Sequence, residues 1–238
     1  MAVYTNWGLT WMPIAVDSNA TFDREVWRVC EGQTKQYTWS LVDDIAELDL
    51  LERILESSKP PSPTPSVKHF LLTTPFRYPE RTPGGSRFVM EGAKCALYSA
   101  HNPITCFWEA GHWAKQFSAS STGLSTKSII RRRCLFSLQV GGPVIDLTAP
   151  PYNADAATWI HPHDYHACQA LGSQARAAGV PLIQYQSVRD PDAGLCMAVM
   201  LVSGITCDKP TTMEDWDLLV SPKEVVWQHP VSGQQIPV

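Results

Sequence analysis

The spacing of apolar residues near the start of the chain predicts an amphipathic helix. Ser40 and Asp43 are residue types that favour a helix start. The apolar residues of this stretch follow at intervals of four, three, three and four positions, and they are Leu41, Ile45, Leu48, Leu51 and Leu55. Because residues three and four apart lie on the same side of a helix, the spacing predicts one apolar face.

The stretch SSKPPSPTPS, residues 57–66, predicts a stiff and irregular connector after this helix. Each proline fixes φ and lacks a backbone N–H donor, so regular hydrogen bonding is interrupted repeatedly. We therefore divide the chain into an N-terminal helical segment with its connector, residues 1–66, and a main domain, residues 67–238.

Beyond the connector, apolar and alternating runs predict strands separated by loops and two helices. The predicted strands are FLLTTPF, KCALYSA, RCLFSLQV, PVIDLT, VPLIQYQS and LCMAVMLV. One helix should begin at Asn102 and Pro103, a capping residue followed by proline at the first helical position. The other should span roughly residues 163–178 and stop at Gly179. This mixture predicts an α+β or α/β fold.

Composition narrows the class of protein. A chain of 238 residues that is 44% apolar can bury the core of one large domain, or of one domain with a small appendage. The net charge of −4 and the pI near 6.0 argue against a nucleic-acid partner, which would require a basic surface. The basic run Arg131–Arg133 opens an alternating stretch, so we interpret it as a solvated strand start.

Neither the cysteines nor the uncharged runs indicate export or a membrane. The seven cysteines are odd in number, lack a C-x-x-C pair and lie mostly in apolar segments, which is typical of reduced residues in a cytoplasmic protein. Residues 1–16 lack a basic start and are broken by Asn6, Gly8 and Pro13, so they predict neither a signal peptide nor a span. The run AGLCMAVMLVSGITC is too short to cross a bilayer.

Common catalytic signatures are absent from the sequence. It contains no dinucleotide-binding glycine motif, P-loop, H-E-x-x-H or G-x-S-x-G. The stretch HPHDYH places His161, His163 and His166 near Asp164, a spacing that suits a metal. It lies at a predicted helix start, where these residue types cap backbone groups, so we expect no metal site.

Two arginines flank a proline- and glycine-rich turn. Arg77 and Arg87 would be held near each other by the stretch RYPERTPGGSR. Planar guanidinium groups bind diphosphates or carboxylates through paired hydrogen bonds. Surface ion pairing is the simpler alternative for both side chains.

Polar residues in apolar surroundings supply further candidates. Tyr98 lies in an otherwise apolar strand, eleven residues after Arg87, and Glu109 follows eleven residues later among aromatic neighbours. A carboxylate in such surroundings either caps a donor or takes part in chemistry, because burying it unpaired is costly. Ser187 and Arg189 stand where a predicted strand ends, a usual position for site residues.

Several stretches of the sequence, taken in chain order, resemble the RES-domain family. They are WRVCEGQ, the proline connector, HFLLTTPFRYP, GSRF, ALYSA, Glu109 in the next helix, and LIQYQSVRDP. The resemblance runs over nearly the whole chain and is closest to the longer ParT-like toxins, in which a helical N-terminal segment precedes the RES core. It implies an α+β fold similar to ADP-ribosyltransferases, with a mixed sheet and flanking helices.

The same resemblance implies an activity and a partner. RES proteins consume NAD as a substrate, by hydrolysis, by phosphorolysis or by transfer of ADP-ribose to a target protein. Many are toxins whose antitoxin partner covers the active site. The family's site residues correspond here to Arg77, Tyr78, Arg87, Tyr98, Glu109 and Ser187, with Arg28 as a further contact.

Roles for these residues follow from the chemistry that the resemblance implies. Glu109 would stabilise positive charge on the ribose, and no general acid is needed because the nicotinamide leaves as a neutral group. Arg77 and Arg87 would clamp the diphosphate. Tyr78 and Tyr98 would pack against the nicotinamide or its ribose, and Ser187 would bond the nicotinamide end.

Two other functions stay open. A catalytically inactive RES-like nucleotide-binding module would keep the arginines, although the intact Glu109 counts against it. An unrelated glycosidase or nucleoside hydrolase needs a second carboxylate, and only Glu91 is close in sequence. Relatives often have a basic residue one turn after the glutamate, where this chain has His112 and Trp113, so the acceptor of ADP-ribose is left open.

Overall fold

The computed structural model describes residues 21–32, 37–62 and 68–238. Within them the helices are α1 (Ile45–Ser58), α2 (Phe70–Thr73), α3 (Pro103–Ser120), α4 (Ala156–Trp159) and α5 (His166–Ala177). The strands are β1 (Thr21–Glu31), β2 (Leu97–Ala100), β3 (Ile129–Asp146), β4 (Leu182–Gln186), β5 (Leu195–Val199), β6 (Met213–Val220), β7 (Val225–Gln228) and β8 (Gln235–Pro237). None of these helices combines the length and apolarity needed to span a bilayer.

All eight strands belong to one sheet in the order β1-β2-β5-β4-β3-β6-β7-β8. The β3–β4 pair is parallel and the other pairs are antiparallel. Because β1 also pairs with β3, five strands form a closed circuit of pairings. The α+β class with a mixed sheet and flanking helices is confirmed.

The predicted N-terminal helix exists, but it begins later than Ser40. Asp44 caps α1, because its Oδ1 accepts a hydrogen bond of 2.9 Å from the backbone N–H of Glu47. On the predicted apolar face Leu48 is buried, whereas Leu41 and Ile45 are exposed. Most of that face therefore has no packing partner within the described part of the chain.

Strand β1 is an element of the N-terminal segment that the sequence analysis did not predict. It pairs with β3 over its full length, from Thr21 opposite Pro143 to Glu31 opposite Arg133. Residues 1–66 are therefore not helical throughout, and they contribute to the same sheet as the main domain. The predicted boundary itself lies in residues 63–67, outside the described residues.

The strand predicted for FLLTTPF is wrong. These residues form α2 and a 3-10 turn, Thr74–Arg77. His69 Nδ1 accepts a hydrogen bond of 3.3 Å from the N–H of Leu71, and the Thr74 hydroxyl donates 2.7 Å to the carbonyl of Phe70, so local bonds favour a helical turn. The runs RCLFSLQV and PVIDLT form one strand, β3, rather than two.

The predicted start of α3 and the predicted end of α5 are confirmed. Asn102 caps α3 through a hydrogen bond of 2.9 Å from the N–H of Thr105 to its side-chain oxygen. Helix α5 ends just before Gly179, whose φ of +74° favours glycine. All seven cysteines lie in the described part of the chain, and none is joined to another by a disulfide.

Packing of α3 against the sheet fixes the helix that positions Glu109. Phe107 of α3 stacks on Trp227 at 4.6 Å between ring centroids, and the Trp227 indole donates 3.2 Å to the Phe107 carbonyl. At Gly111 a Cβ would lie 2.7 Å from a methyl group of the Val238 side chain, so α3 lies close to residue 238 here. These contacts pack α3 against the sheet at the level of Glu109.

Candidate active site

A cavity of about 350 Å³ opens between α3, β2, the residue 80–87 loop and the loop that follows β4. Its volume lies within the usual range of small-molecule sites. Its charged and phenolic lining residues are Arg28, Glu80, Arg87, Tyr98, Glu109, Tyr165, Tyr185 and Arg189.

Glu109 is bound directly by Ser187. The Ser187 hydroxyl donates a hydrogen bond of 2.5 Å to Glu109 Oε1. The same hydroxyl oxygen accepts bonds of 3.1 Å from the backbone N–H groups of Arg189 and Asp190. Since the two N–H groups occupy its lone pairs, the hydroxyl proton is directed at the carboxylate.

The surroundings of Glu109 raise its pKa above the ordinary carboxyl value. Burial is the main cause, because a charged carboxylate loses its hydration. The Ser187 hydrogen bond and the charges of Arg87 and Arg189 act in the opposite direction, and Asp190 raises the pKa further. The site thus holds a carboxylate that is poorly hydrated and restrained in orientation.

A second buried bond joins the two elements that present Glu109 and Ser187. The Thr105 hydroxyl, one turn before Glu109, donates 2.6 Å to Asp190 Oδ2 in the loop after β4. Both side chains are buried. A Cβ at Gly194 would overlap both of these oxygen atoms, so glycine is needed there. Sequence analysis missed this bond, because nothing in the sequence relates Thr105 to a turn 85 positions away.

Arg87 lies at the cavity with its charge unneutralised by a bonded carboxylate. Its side chain is 8% exposed, and Nη1 donates to the carbonyls of Trp159 at 2.9 Å and His161 at 3.1 Å. The guanidinium carbon lies 4.6 Å from the ring centroid of Tyr165, in cation–π contact. Because its hydrogen bonds go to neutral carbonyls, the positive charge remains available to an anionic ligand.

Tyr98 connects the Arg87 turn to β2. Its hydroxyl oxygen accepts a hydrogen bond of 3.0 Å from the N–H of Phe88 and lies 2.9 Å from Ser86 Oγ. Burial raises its pKa to about 12, so the phenol is neutral at physiological pH. In the turn, Gly85 has φ +82°, and a Cβ there would overlap the Val89 carbonyl. The structure thus brings Arg87, Tyr98 and Glu109 to one cavity.

One protein-family model and a solved structure match this chain. The RES domain model matches residues 63–221. The chain belongs to the RES-domain family. No curated protein matches the sequence. The chain aligns with the crystal structure of the M. tuberculosis MbcT–MbcA toxin–antitoxin complex at 14% identity and a TM-score of 0.47, over 85% of this chain and 86% of that one.

Arg28 of this RES protein reaches the cavity, whereas Arg77 does not. Arg28 Nη1 donates 2.6 Å to the carbonyl of Tyr98, and burial lowers its pKa. Arg77 instead pairs with Glu56 of α1 at 2.9 Å and donates 2.8 Å to the carbonyl of Pro60. We expected the guanidinium groups of Arg77 and Arg87 to lie near each other, and this expectation is corrected. The contacts of Arg77 turn its guanidinium group towards α1 and the connector.

Tyr78 also lies outside the cavity lining. Its backbone carbonyl accepts a hydrogen bond of 3.1 Å from the N–H of Cys95, so the residue belongs to the base of the turn. The tyrosines that line the RES cavity are Tyr98, Tyr165 and Tyr185. The sequence analysis did not select Tyr165, which lies at the start of a helix, or Tyr185, which lies in an apolar strand. Tyrosines at such positions are commonly core residues.

Glu80 is a second carboxylate in the cavity, and the sequence analysis did not select it. Its Oε1 accepts a hydrogen bond of 3.0 Å from the N–H of Thr82. Burial acts to raise the pKa of Glu80, but hydrogen bonds from Thr82 and Ser86 outweigh burial and the pKa is lowered. Glu91, the acidic residue noted in the sequence, accepts 3.0 Å from the N–H of Gly84 and does not line the cavity.

The basic group beside Glu109 comes from the loop after β4. Arg189 lines the cavity, and its Nη2 donates 2.8 Å to the carbonyl of Pro162. His112 is neutral, because burial and the charges of Arg189 and His163 lower its pKa to about 4. Trp113 is 51% exposed at the cavity wall. The positive charge near Glu109 therefore comes from Arg189 and not from a residue of α3.

The histidine-rich stretch has a local structural role. His161 Nδ1 accepts a hydrogen bond of 2.7 Å from the N–H of Asp164, and His166 Nδ1 lies 2.7 Å from Asp164 Oδ1. Across residues 21–32, 37–62 and 68–238, no cluster of three or more metal-ligating side chains occurs.

Proposed function

We propose that this RES protein is an NAD-consuming toxin that breaks the bond between nicotinamide and ribose and passes ADP-ribose to water, phosphate or a target protein. The observation that supports it best is the Glu109 carboxylate, oriented by Ser187 at 2.5 Å beside an arginine whose hydrogen bonds leave its charge available. NAD contains a cationic nicotinamide riboside, which suits the Glu109 carboxylate, and an anionic diphosphate, which suits the arginine.

In the proposed reaction the bond from ribose C1′ to the nicotinamide nitrogen breaks, and its electron pair neutralises the pyridinium. Positive charge develops on the ribose, where Glu109 stabilises it electrostatically and holds the 2′-hydroxyl. An acceptor oxygen then bonds to C1′ and loses its proton to solvent. Arg87 and Arg28 bind the diphosphate, and Tyr98 packs beside the ribose as a neutral phenol.

The role proposed for Ser187 differs from the one expected from the resemblance. Its hydroxyl proton points to Glu109 Oε1 and its oxygen already accepts two N–H groups. It therefore has little capacity left for the nicotinamide amide. We assign it to fixing the rotamer of Glu109.

Glu80 favours a second candidate, a glycosidase or nucleoside hydrolase with two carboxylates. That mechanism needs one carboxyl group with a raised pKa to protonate the leaving group. Glu109, with its raised pKa, would be that acid, and Glu80, with its lowered pKa, would be the ionised partner. A nucleoside carries no diphosphate, which would leave the cavity arginines without a ligand. NAD therefore accounts for more of the lining.

Incubation of the purified protein with NAD, with chromatographic measurement of free nicotinamide, tests the proposal. Nicotinamide should appear with the wild type and fall to near background with Glu109→Gln. Mass spectra of the product with and without phosphate identify the acceptor. If inosine or adenosine is cleaved and NAD is not, the nucleoside hydrolase is correct. Binding of NAD without cleavage would indicate the inactive module.

A toxin needs a partner that controls it, and we propose an antitoxin that covers this cavity. Trp113 and Phe117 of α3 are exposed beside it, and Trp113 also lines an adjoining trough of about 400 Å³ with Ile129 and Val29. An exposed apolar surface next to a site is typical of a protein contact. Expression of this chain alone in the cytoplasm of a host should arrest growth. Co-expression of the protein encoded beside this chain should restore growth. A harmless wild type would contradict the toxin assignment.

A further inference from the structure

Two arginines reach the cavity from distant parts of the chain. Arg87 belongs to the loop before β2, and Arg189 belongs to the loop after β4. Among the residues that the structure describes, no carboxylate forms an ion pair with either guanidinium group. Because two positive charges on one cavity wall repel each other, other groups must hold them in place.

The short segment that links α4 to α5 binds both arginines through its backbone. The carbonyl oxygens of Trp159 and His161 accept hydrogen bonds of 2.9 Å and 3.1 Å from Arg87 Nη1. The carbonyl oxygen of Pro162 accepts a hydrogen bond of 2.8 Å from Arg189 Nη2. Carbonyl groups carry no net charge, so the segment orients both guanidinium groups and leaves their positive charge to an anionic ligand.

The side chain of Tyr165, in the same segment, contacts both arginines. The guanidinium carbon of Arg87 lies 4.6 Å from the centroid of the Tyr165 ring, and Arg189 Nη2 donates a hydrogen bond of 3.4 Å to the Tyr165 hydroxyl oxygen. The hydroxyl proton is donated to the Pro162 carbonyl at 3.2 Å, which leaves an oxygen lone pair for Arg189. One aromatic ring therefore lies between the two guanidinium groups, with its face at Arg87 and its hydroxyl at Arg189.

We propose that Tyr165 is a positioning residue that holds Arg87 and Arg189 as a pair for the diphosphate of a dinucleotide. A diphosphate has two adjacent anionic phosphoryl groups, and guanidinium groups bind each through paired hydrogen bonds. Arg189 thus takes the place beside Arg87 that the sequence analysis expected for Arg77. The inference rests on the proposed function for the choice of a dinucleotide, and it adds Arg189 to the arginines that bind the diphosphate.

Calorimetric titration with ADP-ribose, which contains the diphosphate and lacks the bond to nicotinamide, tests this role. Tyr165→Phe keeps the ring and removes the hydroxyl, so the dissociation constant should rise about threefold through the loss of one hydrogen bond. Tyr165→Leu also removes the ring face from Arg87, so the dissociation constant should rise about tenfold. Tyr78→Phe is the matched control, because Tyr78 lies outside the cavity lining, and its affinity should equal that of the wild type.

A double-mutant cycle distinguishes positioning of the arginines from a merely structural role. If the Tyr165 hydroxyl acts through Arg189, Tyr165→Phe should cause no further loss of affinity in an Arg189→Ala background and should keep its full effect in an Arg87→Ala background. The same effect of Tyr165→Phe in both backgrounds overturns the role, as does wild-type affinity in both Tyr165 variants. Melting curves that match the wild type ensure that the variants are folded, and Tyr165→Phe preserves the test if Tyr165→Leu does not fold.

Measurement of nicotinamide release from NAD separates this inference from the proposed function. If ADP-ribose binding shows the expected coupling and NAD is not cleaved, the role of Tyr165 stands and the proposed reaction fails. If NAD is cleaved and both Tyr165 variants bind ADP-ribose as tightly as the wild type does, the reaction stands and the role of Tyr165 fails. Absence of ADP-ribose binding to the wild type also overturns the role of Tyr165.

Discussion

Ser187 and Glu109 are 78 positions apart in the sequence, and the Ser187 hydroxyl donates a hydrogen bond of 2.5 Å to the carboxylate. One residue lies at the end of β4 and the other lies in the second turn of α3. The bond makes the orientation of the carboxylate depend on the loop after β4. Changes in that loop should therefore alter catalysis at Glu109.

Glu109→Gln should lower nicotinamide release by roughly two to three orders of magnitude, because one electrostatic contact to the transition state is lost. The affinity for NAD should change little, since the arginines that bind the diphosphate are retained. Single-turnover rates and calorimetric titration separate the two quantities. Turnover within about threefold of wild type would remove Glu109 from the mechanism.

The dependence of activity on pH should reveal the raised pKa of Glu109. Catalysis needs the ionised carboxylate, so the rate should rise with pH through a pKa above the ordinary value of 4.5. Ser187→Ala removes a hydrogen bond that lowers this pKa, so the acid limb should move to higher pH. A limb that stays in place in Ser187→Ala would show that another group titrates.

Stability should change with pH in the opposite sense to activity. Since the pKa of Glu109 is raised in the folded protein, its carboxyl group contributes stability below the unfolded pKa, and this contribution is lost as pH rises through the folded pKa. Glu109→Gln should therefore melt above the wild type near neutral pH, with a gap that shrinks towards pH 4.5. A gap that does not vary with pH would argue against a buried, ionised Glu109.

Arg87 and Arg77 form a matched pair of tests. Arg87→Ala should weaken NAD binding roughly ten- to a hundredfold, since charge-assisted hydrogen bonds contribute about 1.5 to 3 kcal/mol. Arg77→Ala should leave the dissociation constant for NAD unchanged, because its guanidinium pairs with Glu56 and Pro60 rather than with the cavity. Titrations in a Glu109→Gln background isolate binding from turnover. A loss of affinity in Arg77→Ala would return Arg77 to the site.

The Thr105–Asp190 hydrogen bond should influence the rate more than substrate binding. Thr105→Val preserves the shape but leaves a buried carboxylate short of a donor, which should cost about 1–3 kcal/mol of stability. Because Asp190 also donates its backbone N–H to Ser187, kcat should fall while KM stays similar. Thr148→Val is the control, since Thr148 bonds Asp146 at 2.6 Å at an exposed position. Similar kcat values in both variants would limit Thr105 to a structural role.

Local patterns in the sequence predicted the elements that depend on neighbouring residues. Asn102 and Pro103 predicted the start of α3, because a cap and a proline act on the first turn alone. The apolar runs predicted β2, β4 and β5. FLLTTPF was misjudged, because a short apolar run fits a buried helix as well as a strand and only the cap at His69 and its packing distinguish them.

Ordered motifs in the sequence determined the family and selected most of the residues of the candidate site. GSRF, ALYSA, Glu109 and YQS were enough to select Arg87, Tyr98, Glu109 and Ser187, all of which lie at or beside one cavity. Their order along the chain was informative, because each lies next to a turn, a strand or a cap that can be recognised locally.

The tertiary structure alone decided which charges meet. The sequence analysis expected Arg77 in the diphosphate clamp and Arg28 as a further contact, yet Arg77 pairs with Glu56 while β1 positions Arg28 beside Tyr98. Glu80 and the Thr105–Asp190 bond went unrecognised for the same reason. Whether a side chain faces a cavity or a neighbouring helix depends on contacts between residues tens of positions apart, and those contacts form only when the strands of the sheet pair.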